Sequence, residues 1–318
     1  MKTAIVTGAA GFLGFHLTTE LLKLNYKVIG LDNYVTGSKI NISDLQKSSY
    51  FEFIEMDVTQ VWPQELLNNK IEQVFHFASI ASPHLFESKG LEIMLANSVG
   101  LKNAIDFADS CKARLIFAST SEVYGSSLEK LLHESNWGVV NPHGPRSSYD
   151  ESKRFGEALI YTCNKKNNTQ HGIVRIFNTY GPRMHRADQR VVNEFIKNAL
   201  TNKDLVIFGD GKQTRSFCYV DDLIAGILKY ASLSVTEPIN IGNDAETSIE
   251  SLAQFIQHSV KSSSKIVYSD KRTDDPLKRK PDLEKARVTL APWIPAVTLT
   301  TGIERMQIYL QGVLKNDL

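Results

Sequence analysis

Short runs of apolar residues alternate along this chain with longer stretches in which apolar positions recur every three or four residues. Thr3 to Thr7 (TAIVT) is the first run, and from Phe12 to Leu24 the spacing follows a helical period. Lys27 to Leu31 (KVIGL) predicts a second strand, and Phe51 to Glu55 a third. Gln73 to Phe77 (QVFHF) and Arg114 to Ala118 (RLIFA) are dense in apolar and β-prone residues and read as buried strands. Between them a helical pattern runs from about Leu91 to Ala108. A long polar-apolar helix is predicted from about Ser148 to Lys165, followed by a strand from Gly172 to Phe177 (GIVRIF). Parallel neighbours need a crossover connection, so this alternation predicts an α/β fold, a doubly wound parallel sheet with helices on both faces.

After about residue 178 the texture changes. Loops lengthen (Gly181 to Gln189, Gly209 to Ser216, Asp270 to Asp282), and short strands such as Leu205 to Phe208 are interspersed with helices. We expect residues 1–177 to form a dinucleotide-type sheet domain and residues 178–318 a smaller domain packed against it. The chain is expected to return to the first unit near 214–242, where Phe217 to Leu228 could supply a strand and a helix. A length of 318 residues agrees with about two domains at roughly 150 residues each.

Composition narrows the class. Lys plus Arg number 36 against 35 Asp plus Glu, so no basic excess drives binding to nucleic acid or an acidic membrane. The three cysteines, Cys111, Cys163 and Cys218, are far apart and lack CxxC spacing, which argues against a disulfide framework or a zinc site and fits a reducing compartment. No metal is expected. The apolar runs are far below the roughly 18 residues of a membrane span, and the chain enters a strand at residue 3, so the expected location is the cytoplasm.

The candidate chemistry begins at Gly8, Gly11 and Gly14, a G-x-x-G-x-x-G directly after the first strand and at the opening of the first helix. Gly8 permits a tight turn, Gly11 lets the backbone approach a pyrophosphate, and Gly14 allows close helix-strand packing. The helix amino terminus adds amides and a positive dipole. This is the mark of a Rossmann-type dinucleotide site, and Phe12 and Leu13 fall within it. Asp32, ending the second strand, would accept hydrogen bonds from ribose hydroxyls and repel a 2′-phosphate, favouring NAD over NADP. Asn33 beside it, Asp57 and Val58 after the third strand, and Ala78 after the fourth complete the candidate NAD contacts.

Tyr149 and Lys153 have the Tyr-x-x-x-Lys spacing that places both on one helix face. An ammonium there is expected to favour the phenolate and so lower the tyrosine pKa, creating a base for a hydroxyl proton. Tyr161 and Lys165 repeat the spacing near the end of the same helix, where a packed aromatic is the ordinary expectation. Ser119 to Gly125 (STSEVYG) follows directly on a buried strand, where the ligands of open parallel sheets bind.

The glycine motif, Thr120, Tyr149 and Lys153, in this order, resemble the extended short-chain dehydrogenases/reductases that act on nucleotide sugars. The resemblance spans nearly the whole chain and narrows to the UDP-glucuronate decarboxylases. Its residues are Ala118-Ser-Thr-Ser-Glu-Val-Tyr-Gly125, Trp137-Gly-x-Val-Asn-Pro142, Gly144-Pro-Arg-x-x-Tyr-Asp-Glu-x-Lys-Arg154 and Arg175-Ile-Phe-Asn-Thr-Tyr-Gly-Pro-Arg-Met-His185. Arg190-Val-Val192, Gln213-Thr-Arg-x-Phe217 and Asp274-Asp-Pro-x-Lys-Arg-Lys-Pro-Asp282 continue it. The resemblance implies NAD as cofactor, a UDP-sugar as substrate, a homodimer, and a redox-neutral cycle of C4 oxidation, decarboxylation and C4 reduction. It implies Tyr149 as base, Lys153 as its activator and ribose anchor, and Thr120 as the partner of the C4 oxygen. Glu122 and Arg279 would stand near C5 and the carboxylate. Asn178, Arg190, Val192 and Arg215 would contact UDP or sugar, with Ser82 and Ser121 completing the candidate substrate contacts.

Ser121 separates the possibilities within this superfamily, because the similar 4,6-dehydratases carry Asp before the Glu and simple 4-epimerases lack the Glu. The departures lie after Ala81-Ser82-Pro83, where the decarboxylases carry a Tyr and, a few residues on, a Lys. This chain has Phe86 and then Lys89-Gly-Leu-Glu92-Ile93. That segment is expected to line the sugar pocket. Leu290-Ala-Pro-Trp293 also departs from the usual Leu-Gly-Trp. The alternative reading is therefore a 4-epimerase or 4,6-dehydratase of the same superfamily acting on a different sugar.

Overall fold

The computed structural model describes residues 1–127, 129–185, 188–270 and 278–315. The first half of the chain lays down strands β1 (Lys2–Thr7), β2 (Tyr26–Asp32), β3 (Phe51–Glu55), β4 (Ile71–His76), β5 (Arg114–Thr120) and β6 (Gly172–Ile176). Helices α1 (Phe12–Lys23), α2 (Lys39–Leu45), α3 (Gly90–Leu95), α4 (Leu101–Ser110) and α5 (Ser147–Asn167) connect them. The second half adds strands β7 (Thr179–Tyr180), β8 (Leu205–Phe208), β9 (Thr214–Ser216), β10 (Cys218–Tyr219), β11 (Ile239–Ile241), β12 (Glu246–Ser248), β13 (Ile266–Ser269) and β14 (Lys278–Arg279). Its helices are α6 (Val191–Leu200), α7 (Val220–Ala231), α8 (Ile249–Val260), α9 (Glu284–Thr289) and α10 (Leu299–Lys315).

Seven strands in the order β11-β6-β5-β4-β1-β2-β3 form the central sheet, and every pairing in it is parallel. Chain order reverses between β1 and β4, and the crevice at their carboxyl ends is where such sheets bind ligands. Period-two alternation divides the core. Val6, Phe75, Ile116 and Val174 face one layer with Leu17, Leu21 and Leu223. Ile5, Val74, Leu115 and Phe117 face the other with Leu101, Ile105 and Ile160. Burial on both faces is why these strands read as unbroken apolar runs. The structure therefore has the expected α/β, Rossmann-type architecture.

Two features depart from the sequence pattern. The helix expected from Leu91 to Ala108 is divided by a wide, π-type turn at Ala96–Gly100. Asn97 there turns inward, fully buried, and donates to Ile93 O, Ser79 Oγ and Ser152 Oγ. Such π-type bulges are rare and are frequent at functional sites. The stretches expected as loops at Gly209 to Ser216 and Asp270 to Asp282 end in β9 and β14. These pair in parallel, with Arg279 beside Arg215, while β12 runs antiparallel along the other edge of β9. Strands of two or three residues carry too little periodicity to be legible. Asp274-Asp-Pro276, the start of one resemblance motif, lies outside the described residues. Among the described residues no helix is long and apolar enough to cross a membrane.

Candidate active site

The turn after β1 is built around Gly8, at φ +75°, a left-handed conformation that glycine adopts without strain. A Cβ on Gly14 would lie 1.9 Å from Gly8 O, so α1 packs directly on the turn. Gly11 caps α1 with no side-chain acceptor for its first amides, which leaves them for an anion. Thr7 Oγ1 accepts from the amides of Phe77 and Ala78, each at 3.0 Å, and joins the ends of β1 and β4. It lies 3.2 Å from His76 Nδ1, while His76 Nε2 lies 3.1 Å from Ala96 O. The carbonyl can only accept, so Nε2 carries the proton and Thr7 donates to Nδ1. Burial pushes this imidazole down to about 3, with the charge of Lys153 adding to it, so His76 is neutral.

A cavity of ≈ 580 Å³ opens at the carboxyl ends of these strands. Gly8, Gly11, Phe12, Leu13 and Gly14 form its cofactor end, and Thr120, Ser121, Glu122, Tyr149 and Lys153 its centre. Ser82, Asn178, Arg190, Val192, Arg215 and Arg279 line the remainder. Asp32, Asn33, Asp57, Val58 and Ala78 are not brought into this lining. Asp32 is 8% exposed, and its carboxylate accepts from Ala10 N at 3.0 Å and Tyr34 N at 2.7 Å. Burial raises its carboxyl pKa against those bonds. Asn33 donates to Asp57 at 3.0 Å, forming a rim beyond β2 and β3. Val58 packs on Gly100 and bonds Trp62 and Asn103 through its carbonyl. Side-chain-free glycines, open amides at α1 and a cavity of this size together fit a dinucleotide.

Thr120 ends β5, and Tyr149 stands in the first turn of α5. The Thr120 hydroxyl accepts from Glu122 N at 3.2 Å and stands close enough to the phenol to favour its ionised form. Burial nevertheless pushes the Tyr149 phenol up to about 12. Lys153, one turn on and 3% exposed, donates to Ala118 O at 2.8 Å and is pushed down to about 7 by burial. Its Nζ lies 4.8 Å from the Phe117 ring centre and 5.8 Å from that of Tyr149. The expected lowering of the tyrosine is thus absent, because the burial of Tyr149 itself outweighs every other influence on it, and burial also disfavours the charge of Lys153. Tyr161 of the repeated motif is 66% exposed, away from the cavity.

Glu122 is shared by two arginines at the centre of the cavity. Arg146 Nη2 donates to its Oε2 at 2.6 Å and Arg279 Nη2 donates to the same oxygen at 2.9 Å. Burial alone would push this carboxyl up, but the Arg279 and Arg146 charges outweigh it and hold it at about 2. Arg279, 3% exposed, also donates to Gly125 O. Across the cavity Asp188 holds Arg190 through contacts of 2.8 to 3.1 Å and accepts from Ser82 at 3.0 Å. Arg146, Asp150 and Asp188 escaped the sequence reading. Arg146 and Asp150 sit inside the Gly144 to Arg154 motif and Asp188 two residues before Arg190, and those positions were the only signals.

Of the departing residues, Phe86 lines the cavity and Glu92 does not. Phe86 is 3% exposed and stacks on Tyr149, with centroids 4.7 Å apart and planes 13° apart; the Arg146 guanidinium lies 5.4 Å from its centre. Glu92 pairs with Lys89 at 3.0 Å on the exposed side of α3.

A parallel sheet with a glycine turn at its reversal point, and Thr, Tyr and Lys converging beside it, defines an NAD-dependent enzyme of the extended short-chain dehydrogenase/reductase class. The chain belongs to the NAD dependent epimerase/dehydratase family, whose model matches residues 4–242. It is 39% identical over 316 residues to UDP-glucuronic acid decarboxylase 1 of Xenopus tropicalis, covering 99% of this chain and 74% of that one. It is 41% identical over 305 residues to UDP-glucuronic acid decarboxylase 6 of Arabidopsis thaliana, covering 95% and 87%. Among solved structures, a UDP-glucuronic acid 4-epimerase from Bacillus cereus in complex with UDP-glucuronic acid and NAD is 30% identical. It superposes with a TM-score of 0.88 over 98% of this chain and 99% of that one.

Proposed function

We propose that this enzyme converts UDP-glucuronate to UDP-xylose and carbon dioxide through a 4-keto intermediate. The observation that carries the reading is Glu122, shared between Arg146 and Arg279 in the same cavity as Thr120, Tyr149 and Lys153. This cluster is what a carboxylate-bearing sugar requires beyond the machinery for C4 oxidation. Ser121 in place of an acid speaks against dehydration, and relatives named as decarboxylases support the assignment.

Gly8, Gly11, Phe12, Leu13 and Gly14 would hold the dinucleotide, with Asp32 behind the turn, Ala78 beside Gly8, and Asn33, Asp57 and Val58 at the outer rim. Bound NAD in its oxidised form supplies a reversible hydride acceptor at C4 and a positive charge that favours the Tyr149 phenolate. Tyr149 takes the C4 hydroxyl proton and Lys153 holds the phenolate. Thr120 donates to the C4 oxygen as it gains charge. The C5–carboxylate bond then breaks, its electron pair passes into the C4 ketone, and Thr120 and Tyr149 bear the resulting enolate oxygen. Arg279 and Glu122 orient the carboxylate end, while Arg190 and Arg215, with Asn178 and Val192, receive the diphosphate and sugar and Ser82 and Ser121 complete the wall. Burial of the site strengthens each of these charge contacts.

A second reading, C4 epimerisation of the same uronate, is favoured by the likeness to the epimerase solved with UDP-glucuronic acid. Incubation with UDP-glucuronate and catalytic NAD, followed by NMR of the anomeric region, separates the two. UDP-xylose supports decarboxylation, the C4 epimer supports the second reading, and unchanged substrate refutes both. We further infer that the enzyme works in the cytoplasm as a homodimer. Leu91, Met94 and Phe155, 68%, 47% and 49% exposed, lie on the packed helices α3 and α5 and offer apolar surface for it.

A further inference from the structure

Behind the Glu122 cluster lies a second, much smaller cavity of ≈ 30 Å³, lined by Gly125, Ser126, Val139, Asn141, Gly144, Arg146, Asp150 and Arg279. Arg146 and Arg279 line both cavities, so they and Glu122 form the partition between them. Ser126, Val139 and Asn141 are exposed, so the small cavity faces solvent. Two buried polar atoms of its lining residues have no partner among the described residues. They are Asp150 Oδ1, on a residue 6% exposed, and Arg279 Nε, on a residue 3% exposed. One is an acceptor and the other a donor, and the polar space beside their residues is large enough to hold water.

Decarboxylation has a proton requirement that epimerisation lacks. Tyr149 takes one proton from the C4 hydroxyl, and the regenerated hydroxyl uses it again. When the C5–carboxylate bond breaks, carbon dioxide leaves with no electron pair and C5 must gain a new hydrogen. Uronate plus one solvent proton gives pentose plus carbon dioxide, so each turnover draws one proton from bulk water. We propose that the small cavity is a water-filled proton inlet and that Asp150 is its loading residue. It takes up that solvent proton on the side of the partition opposite the substrate and gives it to C5 by way of the Glu122 carboxylate, which faces Asp150 and lines the main cavity. Asp150 is then reprotonated from the inlet. The inference rests on the decarboxylase reading.

The surroundings suit this task. Asp150 faces Glu122 from the turn after β5, Arg146 from the segment before α5, Arg279 from β14 and Glu151 on its own helix. Its Oδ2 pairs with Arg146 Nε at 3.8 Å, a distance too long for a hydrogen bond. Burial and then the Glu122 charge raise its carboxyl to about 7, against the two arginines, so near neutral pH it can both hold and yield a proton. Glu122, held ionised, does not store the proton and only passes it on.

The test uses the full-length enzyme with NAD and UDP-glucuronate across pH 5.5 to 9. Wild type is expected to lose rate as pH rises past 7. Asp150→Asn is expected to form UDP-xylose roughly 10²-fold more slowly, without that inflection, while still oxidising C4. Asn141→Leu, at the exposed rim, leaves every buried charge in place and is expected to slow the same step several-fold. In cofactor-free protein carrying ¹³C-carboxyl aspartate, one resonance should titrate near 7 and vanish in Asp150→Asn. Wild-type UDP-xylose formation with an unchanged pH profile in Asp150→Asn, an unaffected Asn141→Leu, or an Asp150 resonance titrating in the ordinary carboxylate range overturns the inlet alone. A wild-type enzyme that turns over UDP-glucuronate without releasing carbon dioxide overturns the functional reading and the inlet with it.

Discussion

Arg279 donates to Glu122 at 2.9 Å across 157 positions of the chain. The contact exists because β14 pairs with β9, placing Arg279 beside Arg215, while β5 ends in the turn that carries Glu122. It closes the far strands of the chain onto the carboxyl edge of the main sheet.

Glu122→Ala leaves two guanidinium groups without their shared counter-ion. Removing one partner of a buried pair costs about 3–5 kcal/mol, so a drop of that size is expected in urea unfolding. Glu122→Gln keeps the shape and loses less. A fall below 1 kcal/mol in the alanine variant would show that the cluster contributes little to the fold.

Tyr149→Phe removes the phenol but retains the ring stacked on Phe86. Product formation should fall about 10²–10⁴-fold while NAD affinity, read by fluorescence quenching, stays within a few-fold of wild type. Turnover near the wild-type rate would remove Tyr149 from its role as base.

Stability should carry the signature of Asp150. Its folded carboxyl is raised from 3.8 to about 7, so the native state holds a proton that the unfolded chain has released in that interval. Its stabilising contribution is present below about 4 and is lost as pH rises toward 7. Lys153, lowered to about 7, works on the alkaline side, where stability rises from pH 7 toward 10.5. Asp150→Asn removes only the first effect. Its stability relative to wild type, from denaturant midpoints, should improve between pH 4.5 and 8 by up to roughly 1.4 kcal/mol per pH unit. A constant difference would contradict the burial of an ionising carboxyl.

The exposed apolar residues of α3 and α5 predict self-association. Replacing Met94 and Phe155 with Glu should convert a dimer to a monomer in sedimentation velocity. An unchanged sedimentation coefficient would place the interface elsewhere.

The main sheet was legible because strands buried on both faces cannot hide their apolar runs. The edge strand Phe51–Glu55 and, outside the main sheet, Leu205–Phe208 are only partly buried, yet match their sequence boundaries residue for residue. β9, β12 and β14 were not legible, being two or three residues long and stabilised by partners far away in sequence. Thr120, Tyr149 and Lys153 could be found from spacing and motif. Arg146 and Asp150 could not be given roles, since these depend on what a distant strand brings beside them. The reversed effect on Tyr149 was also invisible, because spacing predicts which groups are near and says nothing of how deeply they are buried.

The central claim is loss of carbon dioxide from C5 with retention of the C4 oxygen. Conversion of UDP-glucuronate in D₂O with catalytic NAD, read by ¹H NMR, tests it most directly. The account predicts UDP-xylose carrying a single deuterium at C5 and none at C4. A six-carbon uronate inverted at C4, with its carboxylate intact, would contradict it.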